Sequence, residues 1–342
     1  MDRAKYDRVG IATAFCIVLL CGARAETVEE FYKKTPLSVY VGSGAGGGFD
    51  EIARVFTPHL ARHLPGSPNV VVKNMPGAGG LLNVNFMYNS APRDGSAIAA
   101  PFNTVFMLPI FGDQAAKFDP RKFTWLGSLD KQTATCAVWH TSPINSIDDA
   151  KKREVTVGAT GTNATPAIFP NVLNALLGTK FKVISGYSTN EMRLAMERGE
   201  TEGVCGLAWQ TYKAIAPQWI SDKKLKVLAQ MGLAKHKELP DTPLALDMFA
   251  NAADRKVFEL VVLPQEFGRP FMAPPELPAD RAAALKQAFD KALVDPAFLA
   301  DARKIRLDID PMTGDEIKAM LESAYAAPQA QIERAGKFSL AQ

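Results

Sequence analysis

The chain has 342 residues, 47% of them hydrophobic and 22% charged, with 25 Gly and 23 Pro. These proportions exclude a disordered, collagen-like or disulfide-stapled chain and leave room for two domains with cores of their own. A formal net charge of +3 gives no electrostatic reason to expect nucleic acid or a membrane surface as a partner, and four scattered His and four Cys do not make a zinc-rich protein.

At the N-terminus, Arg3, Lys5 and Arg8 precede an apolar run over 9–22, and Ala23-Arg24-Ala25 supplies an A-x-A cleavage pattern. The run is shorter than the ~18–20 residues a transmembrane helix needs. It reads as a secretory signal peptide, 1–25, cleaved after Ala25; the alternative is an uncleaved anchor. Cys16 and Cys21 leave with it. Cys136 and Cys205 remain as an even pair in an oxidising compartment, either one disulfide or two buried thiols. Neither belongs to a C-x-x-C or has a neighbouring His, so a catalytic thiol is not indicated.

The mature chain alternates strands and helices. Residues 37–42 predict a strand, followed by a glycine-rich loop and a helix over 50–64 on which Ile52, Val55, Phe56 and Leu60 share a face; Pro58 is expected to kink it. A strand over 69–73 ends at a Pro-Gly turn, a helix follows over 80–90, and Pro92-Arg93-Asp94-Gly95 turns into a strand at 96–100. Further strands are expected at 134–140, 154–158, 181–185, 203–207 and 224–230. Between them lie a helix opened by a Ser146/Asp149 capping box, a helix ending at Leu177 with Gly178 as its C-cap, and one from Ser188/Glu191 to Gly199. Residues 257–263 and 270–273 read as extended. The end of the chain is helical: 278–294, a helix begun by Asp295-Pro296, and one capped by Thr313 and Glu316. The alternation argues an α/β protein with largely parallel sheets.

Two glycine-rich loops carry the chemistry: Ser43–Asp50 (SGAGGGFD) and Ala159–Pro166 (ATGTNATP). Each follows a strand and opens a helix, which presents backbone N–H groups at the positive end of the helix dipole. Glycine lets a ligand approach the backbone closely. Thr160, Thr162 and Asn163 add neutral donors. Neither loop contains Lys or Arg, so neither is a Walker A loop, and a G-x-G-x-x-G read from Gly44 puts Phe49 at the third glycine. Neutral N–H donors suit a carboxylate better than a triphosphate. The plainer alternative is a pair of ordinary tight turns. There is no G-x-S-x-G elbow and no H-E-x-x-H. His59 and His63 have metal-compatible i, i+4 spacing but no third ligand nearby, and are expected beside Arg62 on a solvated face. The residues thus indicate no enzyme, no cofactor and no metal.

The order VYVGSGAGGGFDEIAR, VVVKNMPGAGGLLNVN, APRDGSAIA resembles the substrate-binding proteins of tripartite tricarboxylate transporters, the Bug or TctC-like family. VGATGTNATP, SGYSTNEMRLAMERGETEGV and FMAPPELPADRAAALKQAFDKALVDPAF are similar to its later segments, so the likeness covers nearly the whole mature chain. The resemblance implies a two-lobed Venus-flytrap α/β fold with a ligand cleft between lobes: lobe one 26–127 plus 262–342, lobe two 128–261, with crossings near 128–134 and 258–265. It implies a periplasmic, monomeric solute-binding protein that captures a small organic mono- or dicarboxylate, aromatic ones included, and docks transiently on membrane permease subunits. A periplasmic carboxylate sensor docking on a signalling receptor is the alternative.

By matching position, the resemblance implies a first-lobe loop of Ser43, Gly44, Ala45, Gly46, Gly47, Gly48 and Asp50, with Asn103 and Thr104 on the same side. It implies a second-lobe loop of Thr160, Gly161, Thr162, Asn163 and Thr165. Tyr187 and the segment Gly206–Gln210, with Trp209, would face the other end of the ligand. Where several members have Asp, this chain has Gly206, which argues against an amine-bearing ligand and makes Trp209 and Tyr187 either an aromatic wall or core.

Overall fold

The computed structural model describes residues 26–161 and 164–339. The expected signal peptide, and Thr162 and Asn163 of the second loop, lie outside the described residues. In the first part of the chain, α1 (Val28–Lys34), β1 (Leu37–Val41), α2 (Gly48–His63), β2 (Val70–Asn74), α3 (Leu81–Asn89), β3 (Ala97–Ala100) and β4 (Thr124–Ser128) follow one another. Next come β5 (Ala134–Trp139), α4 (Ile147–Lys152), β6 (Val155–Ala159), α5 (Thr165–Leu177), β7 (Phe181–Ser185), α6 (Thr189–Arg198), β8 (Gly203–Ala208), α7 (Trp209–Ile215), α8 (Pro217–Ser221) and β9 (Leu225–Met231). The chain closes with α9 (Ala252–Val262), β10 (Pro270–Ala273), α10 (Ala279–Leu293), α11 (Pro296–Lys304), β11 (Met312–Thr313), α12 (Gly314–Tyr325) and α13 (Gln329–Ser339).

The strands form two sheets, ordered β11-β4-β10-β3-β1-β2 and β7-β6-β8-β5-β9. Both are mixed, which corrects the expectation of largely parallel sheets. β1 pairs parallel with β2 and β3, and β6 with β7 and β8, but β10, β4 and β11 run antiparallel in the first sheet, and β5 pairs antiparallel with β8 and β9 in the second. Short apolar runs do not encode strand direction. The parallel cores decide where loops fall. Val41 lies opposite both Asn74 and Ala100, so the loops after β1, β2 and β3 leave from one edge. Ala159 lies opposite Ser185, and β8 runs alongside β6, so the loops after β6, β7 and β8 do the same in the second sheet.

The first sheet packs on α2, α10 and α11 through Leu37, Val39, Phe56, Leu60, Phe271, Phe289 and Phe298. A larger core joins Val84, Phe106, Trp125 and Phe267 to Cys136, Val157, Phe169 and Phe258, so apolar packing is continuous from one sheet to the other. Cys136 and Cys205 are partners across the antiparallel β5–β8 pair and are bridged by a disulfide.

Of the stretch 257–263, expected to be extended, 257–262 form the second half of α9 and Leu263 is its C-cap. The run VFELVVL is apolar nearly all round, and periodicity alone does not separate a buried helix from a buried strand. The start signal lies earlier: the Asn251 side chain accepts the Ala253 N–H, and Asp254 occupies the first turn. Helices α1, α7, α8 and α13 were not anticipated. His59 is also not solvated: α11 covers it, and its ring meets Asp301 at 3.0 Å and packs edge-on to Phe298.

Candidate ligand site

The carboxyl edges of the two parallel cores open on one cavity of about 950 Å³. From the first sheet it is lined by Gly46–Phe49, Gly79 and Phe102–Thr104; from the second by Thr160, Gly161, Ala164–Pro166, Ser188–Asn190, Gly206–Ala208 and Gln210. This is where ligands bind in α/β sheets generally, outside the carboxyl ends of strands.

Three helix N-termini, those of α2, α5 and α7, lie at this space without a side-chain cap; their N-cap residues are Gly47, Ala164 and Ala208. On α5, Pro166 has no N–H and the Ala167 N–H is spent on the Ala164 carbonyl at 2.8 Å. Ser188, also on the cavity wall, caps α6, and Thr27, Ser146, Asn251, Asp295 and Thr313 cap α1, α4, α9, α11 and α12 with side-chain oxygens, while α3, α8 and α10 have no side-chain cap. Uncapped N–H groups at the positive end of a helix are anion receptors. Gly46 has φ 76, a conformation that glycine adopts without strain, and a Cβ added at Gly46 or Gly48 would meet no atom within 4 Å, so the space in front of the loop is open.

Of the residues expected at the site, Gly46, Gly47, Gly48, Asn103, Thr104, Thr160, Gly161, Thr165, Gly206 and Gln210 line the cavity. Ser43, Gly44, Ala45, Asp50, Tyr187 and Trp209 do not. Asp50 lies beneath the first loop: its carboxylate accepts the Gly46 N–H (2.8 Å), Asn74 Nδ2 (2.8 Å) and Arg54 Nε (2.9 Å). Burial pushes the Asp50 carboxyl up, but these donors outweigh it and hold it below the ordinary carboxylate range. Trp209 is buried, donates from Nε1 to Glu238 at 2.7 Å and packs with Met192, Tyr212 and Trp219, with Tyr187 against the same cluster. Asn103 donates to the Pro264 carbonyl at 2.7 Å and so braces the first-sheet rim against the chain after α9. Thr165 Oγ1 donates to the Gly206 carbonyl at 2.8 Å, fixing the N-terminus of α5 to β8.

Other lining residues went unsuspected. Phe49 and Phe102 stack edge to face, 4.8 Å between centroids, and give the first-sheet rim an apolar surface. Gln132, Gln265 and Arg269 come from the segments that cross between sheets, and Ile305–Leu307 from the turn after α11. Arg269 is the most informative omission. It precedes an expected strand, and no motif flags it. It pairs with the buried Asp130. Burial pushes the Asp130 carboxyl up to about 6, against the pull of the guanidinium. No cluster of three or more metal-ligating side chains occurs among the described residues.

Two α/β sheets, both turning their carboxyl edges and uncapped helix N-termini toward a shared cavity, define a two-lobed solute-binding protein. The profile of the tripartite tricarboxylate transporter family receptor, TctC, matches residues 52–336, and the chain belongs to that family of periplasmic solute-binding proteins. It is 25% identical over 337 residues to the UPF0065 protein in the gbd 5′ region of Cupriavidus necator, covering 96% of each chain. Among solved structures, it is similar to a TctC solute-binding protein from Polaromonas at 21% identity and TM-score 0.68, over 89% of this chain and 99% of that one. Rpa4515 of R. palustris, solved with adipate, matches at 14% identity and TM-score 0.64, over 89% and 97%.

Proposed function

We propose that the protein captures a small organic carboxylate in the periplasm and delivers it to the membrane permease of a tripartite tricarboxylate transporter. The observation that carries this reading is the set of uncapped helix N-termini from both sheets, α2 from one and α5 and α7 from the other, opening on one cavity. A carboxylate there takes N–H donors from both sides and so favours the closed arrangement of the lobes. The lobes are 26–127 with 262–342, and 128–261, joined through 128–134 and the chain around 258–265. The adipate in Rpa4515 supports the ligand class.

The test is a thermal-shift screen of the refolded protein against succinate, adipate, citrate, terephthalate and other benzoates, with amino acids, sugars and nucleotides as controls. A ligand at about 100 times its dissociation constant adds about 2.7 kcal/mol, a shift of several degrees. A shift with one carboxylate class alone is expected. A shift with nucleotides or sugars and none with carboxylates would overturn the reading. Gly47→Asp places a carboxylate at the mouth of α2 and is expected to weaken carboxylate binding at least about tenfold by calorimetry, through charge repulsion at the N–H groups.

A further inference from the structure

Among the described residues, two guanidinium groups line the cavity with donors only partly used; Arg306, in the turn after α11, spends Nη1 on the Lys213 and Ala214 carbonyls, and Arg269 sits deeper, against the crossing segments. The Arg269 side chain is 13% exposed. Among the described residues, the Arg269 backbone N–H donates to Ser128 Oγ at 3.1 Å and Nη1 meets Asp130 Oδ2. Nε is buried without an acceptor, and Nη2, which is not buried, takes none either. Nη2 is therefore the unspent donor of the guanidinium that a carboxylate oxygen can reach, through a charge-assisted hydrogen bond.

The guanidinium is also held in place. Gln132 N–H donates to the Gln265 carbonyl at 2.7 Å and Gly268 N–H to the Asp130 carbonyl at 2.9 Å, clamping 130–132 against 265–268. Gly268 is required for this approach: a Cβ there would lie 2.5 Å from Gln132 Cγ and 2.8 Å from Asp130 Oδ1. Gln210, on the same wall, donates from Nε2 to the Lys131 carbonyl at 3.2 Å and leaves Oε1 buried without a donor. The wall at the crossing segments therefore carries a charged donor and one neutral acceptor.

We propose that Arg269 is the specificity-determining residue of this cavity: its Nη2, the unspent donor that is not buried, receives a second carboxylate of the ligand, so the protein selects dicarboxylates over monocarboxylates of equal length. This rests on the carboxylate reading of the site. One carboxylate goes to the helix N-termini, where recognition is by backbone and tolerates varied ligand skeletons. The other goes to a charged side chain, where the end group decides the outcome.

The test is calorimetry on the full secreted protein with adipate, its monoamide adipamate and hexanoate, repeated with glutarate and pentanoate and with terephthalate and 4-methylbenzoate. In the unmodified protein the dicarboxylate of the best-fitting set is expected to bind at least about tenfold more tightly than its methyl-ended counterpart. Arg269→Gln alone leaves Asp130 buried and unpaired, so the informative variant is Arg269→Gln with Asp130→Asn, which removes both charges together and leaves neither buried alone. It is expected to bring the ratio to within about twofold, chiefly by loss of the dicarboxylate, with Arg269→Lys intermediate. An unchanged ratio, equal weakening of both ligands, or tightest binding of the amide end would overturn the proposal. If no carboxylate of any length binds the unmodified protein, the carboxylate reading itself fails.

Discussion

Asp130 is buried beside Arg269, with Asp308 and Asp310 adding to the rise that burial imposes on its carboxyl, to about 6. Above that pH the Asp130–Arg269 pair is neutral; below it Asp130 is protonated and the guanidinium faces the cavity with its charge uncompensated. An anion held at Arg269 favours the protonated form further, so binding takes up a proton. Adipate affinity is therefore expected to rise as the pH falls from about 7.5 to about 6.5, where the ligand is still a dianion. Asp130→Asn is expected to flatten that slope, and a flat profile in the unmodified protein would count against it. For the empty protein the same raised carboxyl acts with the same sign. The folded state holds a proton that the unfolded chain has lost between about pH 4 and the Asp130 value, so stability declines as pH rises through that window. Asp50 makes a different prediction. Its three donors include the Gly46 N–H, so it shapes the first loop from behind, and Arg54 offsets its charge. Asp50→Ala is expected to lower stability by about 1–3 kcal/mol in chemical denaturation and to weaken ligand binding, since the loop loses its tether. A variant of full stability and full affinity would show that the loop holds its shape without it.

At the level of elements, β8 passes directly beneath the start of α5. A Cβ at Gly206, where φ is 127, would lie 2.3 Å from the Thr165 carbonyl oxygen. Gly206→Ala is thus expected to push the α5 N-terminus off the cavity rim, lowering the melting temperature by several degrees and ligand affinity at least about tenfold. The sequence does present a glycine there, but only as a departure from a family position; that it admits α5 depends on a strand crossing it from 41 residues away. The two glycine loops were legible because each lies between a strand and a helix that announce themselves locally. The Ser188/Glu191 box and the Gly178 and Gly199 C-caps were legible for the same reason. Arg269 and Gln132 reach the cavity only through the crossing of the chain between sheets, and residues 305–307 only through the turn after α11, and nothing local marks any of them. The α9 error has a similar cause: a segment buried between two packing partners loses the polar face by which a helix is recognised.

For the whole molecule, the question is what spans the cavity when the lobes approach. Lys213 at the end of α7 bonds Glu238 at 2.7 Å and Asp308 at 2.6 Å. Arg306 reaches the carbonyls of Lys213 and Ala214 at 3.2 and 3.3 Å. With the lobes bounded as proposed, Lys213 and Glu238 belong to one and Arg306 and Asp308 to the other, so these contacts exist only when the cavity rim is closed. Both partners of the Lys213–Asp308 pair are partly exposed, at 23% and 41%, which limits it to about 0.5–1 kcal/mol. That is enough to shift an opening equilibrium measurably, because ligand and latch favour the same state and their free energies add. Asp308→Ala is therefore expected to weaken ligand binding about two- to fivefold, chiefly through faster dissociation, and the difference from the unmodified protein should shrink as salt is added. Small-angle scattering should show the ligand-free variant as more expanded than the ligand-free parent, and the two as equal once ligand saturates them. If instead the variant binds and scatters as the parent does at every salt concentration, the 305–308 turn takes no part in closure, and the helix N-termini alone must hold the lobes together around the ligand.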